Sequence, residues 1–167
     1  MPTMTDEQDV VTVERIIPAP AADIFAILRD PARHREIDGS GTVRDARTGH
    51  QQLELGSRFG MSMKLGIPYS MVSTVIEYEP DRRIAWQTRG PTPIGQFVAG
   101  RIWRYELEPV TDGTLVRESW DIRQESALTK SIVRQAADTT RRNMAATLQR
   151  IEDVLMRPSD APPRGDG

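Results

Sequence analysis

The chain contains no cysteine. That excludes disulfides, thiolate nucleophiles and cysteine-ligated metals. Histidine is nearly absent too. His34 and His50 are the only two, one in a short polar helix and one in a polar loop. Neither shares ligand spacing with carboxylates, so no metal site is expected, and a serine nucleophile would have no base. No Gly-x-Ser-x-Gly, phosphate-binding loop or dinucleotide fingerprint occurs, so no cofactor is expected. No apolar run reaches the roughly 18 residues of a membrane span. Met1 to Asp9 is polar and acidic and does not read as a secretory signal, which fits a cytoplasmic location. The 22 Lys/Arg and 24 Asp/Glu are interspersed and leave a net charge of −2, so no basic stripe favours nucleic acid. Aromatics are scarce, with three each of Trp, Tyr and Phe, which makes the placement of each one informative.

What remains is ordinary globular material, 38% apolar over 167 residues, enough for one domain with a sizeable core. Met1 to Asp9 reads as a flexible lead-in and residues 157–167, with three prolines and two glycines, as a disordered tail. The domain is expected over residues 10–156. Val10 to Ile17 is rich in β-branched residues and reads as a strand, stopped by Pro18. Pro20 then suits the first turn of a helix through Leu28. Asp30-Pro31 suits the cap and first position of a second short helix, ending before Gly39.

Turn signals then recur at short intervals, as in an antiparallel meander. Strands are expected at 42–47, 58–65, 69–79, 82–89, 97–109 and 114–124, with Gly66 to Pro68 as one turn and Pro91 to Gly95 as a stiff loop. Asp112-Gly113 is a favoured pair for a two-residue hairpin turn. If it forms the turn, Leu107 faces Glu118, Tyr105 faces Trp120, Trp103 faces Ile122 and Arg101 faces Gln124. The large apolar residues of both strands then share a face, which a slip of one residue would scatter. From Ser126 or Thr129 to Met156 the period turns helical, with Val133, Ala137, Thr140, Met144, Leu148, Ile151 and Leu155 on one side. One helix of about 27 residues is expected.

The fold class is therefore α+β. A curved antiparallel sheet of six to seven strands wraps around one long C-terminal helix, with two short helices after the first strand. This is the helix-grip arrangement, with space between sheet and helix. Strand parity lines that space with Phe59, Met61, Met63, Leu65, Ile84, Trp86, Trp103, Tyr105, Trp120 and Ile122. Asn143 and Met144 join from the helix. Each of these also suits plain core packing. Methionines and flat rings fit a permissive apolar site with few polar fixing points. Tyr105 can donate a proton or hydrogen bond, inward-facing Glu118 can act as a base of raised pKa, and Arg101 can hold an anionic or carbonyl group.

Several stretches resemble the START-like superfamily. They are Val13-Glu14-Arg15-Ile16-Ile17-Pro18-Ala19-Pro20 with Asp23 to Leu28 and Asp30-Pro31, then Glu79-Pro80-Asp81-Arg82-Arg83-Ile84-Ala85-Trp86. Trp103 to Pro109, Gly113 to Trp120 and Arg141-Arg142-Asn143-Met144 complete them. That superfamily includes the birch-pollen-allergen fold, the polyketide cyclase/dehydrase and lipid-transport group, and the Hsp90-activator-like proteins. The plant allergens' glycine-rich loop is missing; Leu55-Gly56-Ser57-Arg58 stands there. The resemblance implies the helix-grip fold and binding or carriage of a small hydrophobic ligand such as a lipid, isoprenoid or polyketide. Alternatives are a polyketide aromatase/cyclase, with Tyr105, Glu118 and Arg101 as its acid–base groups, and a non-catalytic interaction module. Such motifs mark framework rather than activity, so enzyme and carrier stay open, as does oligomeric state.

Overall fold

The computed structural model describes residues 8–46, 51–65, 67–90 and 99–158. Its elements in order are β1 (Val10–Ile17), α1 (Ala21–Leu28), a 3-10 turn (Pro31–Arg33), α2 (His34–Ile37), β2 (Val43–Ala46), β3 (Arg58–Leu65), β4 (Ile67–Glu79), β5 (Arg83–Arg89), β6 (Ala99–Val110), β7 (Gly113–Asp121), α3 (Ala127–Arg134) and α4 (Ala137–Met156). The strands form one seven-stranded sheet in the order β1-β7-β6-β5-β4-β3-β2, antiparallel throughout. β2 to β7 is a meander. β1 returns along its last strand, so β1 and β2 are the two edges. Register shifts at Val43/Asp45, Val75/Glu77 and Thr88/Arg89 bend the strands that carry them. The bent sheet wraps around α4, as the sequence leads one to expect. No helix among the described residues is long and apolar enough to cross a membrane.

Asp30 caps the short turn as expected, its Oδ1 accepting the Ala32 N–H at 3.0 Å, with Pro31 at the first helical position. The β6–β7 hairpin differs from its expected form. Val110 pairs with Gly113, so the turn is Thr111-Asp112, and Tyr105 faces Glu118 while Trp103 faces Trp120. A primed turn on Asp112-Gly113 would require a positive φ at Asp112, which it does not adopt. Gly113 is needed one place later. It takes φ 139, and a Cβ there would lie 2.1 Å from the Ile17 carbonyl oxygen at the end of β1. The shift is two residues, so every side chain keeps its expected face.

Three further boundaries depart from expectation. Ile67 and Pro68 belong to β4, Pro68 opposite Lys64 near the strand's start, where a missing N–H is tolerated. The C-terminal helix is two helices. Around Gln135-Ala136 the bonds tighten to Gln135 N–H on the Ile132 carbonyl and Ala136 N–H on that of Val133. The break lets α3 turn Val133 into the core beside Val11 while α4 follows the sheet. Asp9, grouped in sequence with the flexible lead-in, is buried: Arg134 Nε donates to its Oδ1 at 2.6 Å, and its carbonyl accepts the Ile122 N–H. Residues 1–7 and 159–167, His50 and the Pro91 to Gly95 loop lie outside the described residues, as do the side chains of Met63 and Leu65.

The core forms two clusters. The larger joins Ile24, Phe25, Ile27 and Leu28 of α1 to Phe59, Ile84, Trp86, Tyr105 and Val116 of the sheet and Leu148 and Ile151 of α4. The smaller holds Val11, Trp120, Ile122, Val133 and Met144. Each fully buried aliphatic side chain contributes about 1.5–3 kcal/mol. Val13 and Trp103 pack against both clusters while staying half-buried themselves, so the seam between the clusters runs beside them.

Candidate functional site

The site follows from register. Val75 pairs with Trp86, Trp86 with Trp103, Trp103 with Trp120 and Trp120 with Val11. Directly paired residues share a face, so all three tryptophans form one transverse row across β5, β6 and β7, facing α4. The neighbouring row runs Ile84, Tyr105, Glu118, Val13. Trp103 and Trp120 have ring centroids 6.3 Å apart, and Trp86 lies 5.5 Å from Tyr105. Met144 of α4 packs into the cluster containing Trp120.

Within this apolar face Tyr105 and Glu118 form a buried ionisable pair. The Tyr105 hydroxyl donates to Glu118 Oε1 at 2.8 Å, and both residues are buried. Glu118 Oε2 is buried and has no partner among the described residues. Burial without a counter-charge pushes the Glu118 carboxyl up to about 8, against a smaller opposing effect of the Tyr105 hydrogen bond. The same burial, with Glu118 next to it, drives the Tyr105 phenol well above its ordinary value. At neutral pH the pair is thus a phenol donating to a neutral carboxylic acid. Such a pair can hold a proton or a hydrogen bond at a defined point in an apolar site.

Of the sequence-predicted lining, Phe59, Trp86, Tyr105, Trp120, Ile122 and Met144 are buried, and Met61 and Trp103 pack half-buried against them; Asn143 is half-buried on α4, where its backbone carbonyl accepts from Thr147. Arg101 is brought to the face by its pairing with Thr88, but its charge is taken up locally. Its Nε donates to Glu125 Oε2 at 3.2 Å, and Thr129 Oγ1 donates to the other oxygen of Glu125. Arg101 therefore ties the start of α3 to the sheet.

His34 is a member of this face that the sequence concealed. It is buried, stacks on Trp86 at 5.2 Å and 23°, and meets Phe59 edge-on. Its Nε2 lies 2.8 Å from the Leu28 carbonyl, and burial holds its pKa below the ordinary histidine value. Flanked by Arg33, Arg35 and Glu36, it looks like one more polar residue of an exposed turn. The only hint is that a turn so soon after α1 must fold back beneath the sheet. Ser73, buried, and Thr88 add a hydroxyl pair at 2.9 Å. No group of three or more His, Asp or Glu among the described residues could hold a metal.

Solved structures share this architecture. A protein from Arthrobacter aurescens superposes with TM-score 0.70 at 16% identity, covering 96% of this chain and 94% of its own. Ms6760 from Mycobacterium smegmatis does so with TM-score 0.68 at 16% identity, covering 90% and 92%. DynU16, a protein of the dynemicin biosynthetic locus, gives TM-score 0.61 at 14% identity, covering 88% of this chain and 47% of its own. At these identities the likeness is one of fold. Closer in sequence is an uncharacterised protein of Mycobacterium tuberculosis H37Rv, 35% identical over 147 residues, 84% of this chain and 62% of that protein. The chain thus spans less than two thirds of that relative. The sequence pattern of the family described as polyketide cyclase / dehydrase and lipid transport matches residues 8–156, and the chain belongs to that family.

Proposed function

We propose that this protein binds a small, largely apolar molecule, of lipid, isoprenoid or polyketide type, between the tryptophan row and α4. The observation that carries the reading is the row itself. Three tryptophans stand in register on the helix-facing side of the sheet, and the central one, Trp103, is half-buried at the seam of two core clusters. A core built only for stability gains most by closing over its largest ring. Met61 and Asn143, also half-buried, suit an adaptable wall and a polar fixing point.

The test is native mass spectrometry against the denatured mass, followed by titration with the neutral dye Nile red. A bound mass of a few hundred daltons released on denaturation, or saturable dye binding near micromolar, supports the reading. A clean mass together with no binding of the dye, a fatty acid or a flat polycycle removes it.

A second reading, cyclisation or dehydration of a poly-ketone chain, draws on the Tyr105–Glu118 pair. Enolisation and water loss need a positioned acid and base, and this pair is a buried proton donor set in an apolar face. Under that reading Tyr105→Phe and Glu118→Gln each cut turnover by about 10²–10⁴. Unchanged turnover in both would remove it.

A further inference from the structure

We infer that the ligand presents an uncharged hydrogen-bond acceptor, a carbonyl oxygen, to Glu118, and that Glu118 Oε2 is the donor that selects it. The inference rests on the proposal that the site holds an apolar molecule, and it adds which polar group that molecule must carry and where.

The argument is a count of partners. Glu118 is 2% exposed and stands between Tyr105 on β6 and Val13 on β1. Its Oε1 accepts from the Tyr105 hydroxyl at 2.8 Å, while Oε2 has no partner among the described residues. A buried carboxylate needs a counter-charge or several donors. The nearest inward cation along β1 is Arg15, and its Nε is bound to Glu152 of α4 at 2.5 Å. Glu118 is therefore a neutral acid at pH 7, consistent with its carboxyl being pushed up to about 8. Tyr105 occupies one oxygen as acceptor, so the acid proton belongs on the other. An O–H held in an apolar site without an acceptor forfeits the hydrogen bond that water would give it. A ligand oxygen delivered along the half-buried Val13 and Trp103 would satisfy it. An amine cation would instead draw the proton away, and a ligand without polar atoms would leave Oε2 as it stands.

The groups facing Glu118 that bear on its titration are few. Besides burial, only Tyr105 from β6 acts on it directly; Arg15, two residues beyond Val13 on the same face of β1, is bound to Glu152 of α4, and Asp38, after α2, acts on Tyr105.

The test compares fluorenone with fluorene, the same flat tricycle with and without a carbonyl, and with 9-(aminomethyl)fluorene, whose alkyl amine is protonated at pH 7, by quenching of tryptophan fluorescence. For the native protein at pH 7, fluorenone is expected to bind at least about tenfold tighter than fluorene, the preference shrinking above about pH 8 as Glu118 ionises. Glu118→Gln keeps an N–H donor at the same place, so it should keep the preference and lose its pH dependence. Glu118→Leu removes the donor and should lose the preference for fluorenone over fluorene. If Glu118→Leu does not fold, the Glu118→Gln pH profile decides. Equal affinity for fluorene and fluorenone in the native protein overturns this inference while leaving the apolar site standing. Selection of 9-(aminomethyl)fluorene overturns it in favour of an ionised Glu118. If neither neutral probe binds, the proposed site fails and this inference with it.

Discussion

Gly39 lies against Asn143 so closely that a Cβ on it would sit 2.1 Å from the Asn143 carbonyl oxygen and 2.6 Å from the Thr147 nitrogen. The Gly39 N–H donates to Thr147 Oγ1 at 3.0 Å, and that hydroxyl donates to the Asn143 carbonyl. The turn after α2 is thereby seated on the backbone of α4, which sets the height of Asn143 and Met144 above the sheet. Because the opposing atoms are backbone, they cannot step aside as a flexible side chain would. Gly39→Ala is expected to cost about 3 kcal/mol, at the upper end of overpacking effects. That corresponds to roughly 6–12 °C of melting temperature for a domain of this size. Thermal unfolding checks it, and a shift under about 2 °C would show that the helix is free to lift.

Trp86 and Trp103 are neighbours in one row but should respond differently to substitution. Trp86 is enclosed by Phe59, His34 and Tyr105, so Trp86→Ala should cost about 3–5 kcal/mol of stability. Trp103, half-buried, should lose far less on Trp103→Leu while Nile red affinity falls about tenfold or more. Paired unfolding and titration curves separate the two roles. Unchanged dye affinity in Trp103→Leu would mean that Trp103 is packing only.

The sequence carried the faces of this fold better than its registers. Strand parity places Trp86, Trp103, Tyr105 and Trp120 correctly because a side-chain period of two survives any even slip. The hairpin slip of two residues is invisible to parity, and it decides the chemistry: it pairs Tyr105 with Glu118 instead of with Trp120. Asp112-Gly113 is a strong local turn signal, but the space for Gly113 is set by the Ile17 carbonyl, a contact made across 96 positions of chain and unreadable from local sequence. The break at Gln135-Ala136 has no glycine or proline to announce it. It is a tertiary compromise between Val133 and the sheet. His34 is hidden for the same reason: the rings packed on it, Phe59 and Trp86, come from strands far along the chain.

Asp9 and Arg134 join the start of β1 to the end of α3. The Arg134 guanidinium holds the Asp9 carboxyl below its ordinary value, helped by Lys130 at 3.4 Å. Asp9→Asn and Arg134→Ala should each lower the melting temperature at pH 7, and the double variant should lose less than the sum of the two. The sign with pH follows from the lowered Asp9 pKa. Its stabilisation is present above the ordinary value of 3.8 and is lost as pH falls through the lower folded value. Additive losses in the cycle would mean that the two residues act independently.

Glu118 gives the opposite sign. Its folded pKa, about 8, lies above the ordinary 4.5. Below 4.5 the carboxyl is protonated in both folded and unfolded chains and costs nothing. Between 4.5 and about 8 the unfolded chain releases the proton while the folded chain keeps it, so stability falls as pH rises, by about 1.4 kcal/mol per pH unit from this one group. Above about 8 both states are ionised and the loss levels off. Asp9, Glu77 and Asp121, whose pKa values are lowered, change stability only at the acid end; His34, held below the ordinary 6.5 by burial, adds stability as pH rises to that value, equally in the native protein and in a Glu118 variant, so it drops out of their difference. Denaturant unfolding of the native protein and of Glu118→Gln across pH 5 to 9 should therefore give curves that diverge with rising pH, the variant becoming relatively more stable until about pH 8. Parallel curves would mean that Glu118 is ionised in the folded protein, and that its buried oxygen has a partner other than a proton.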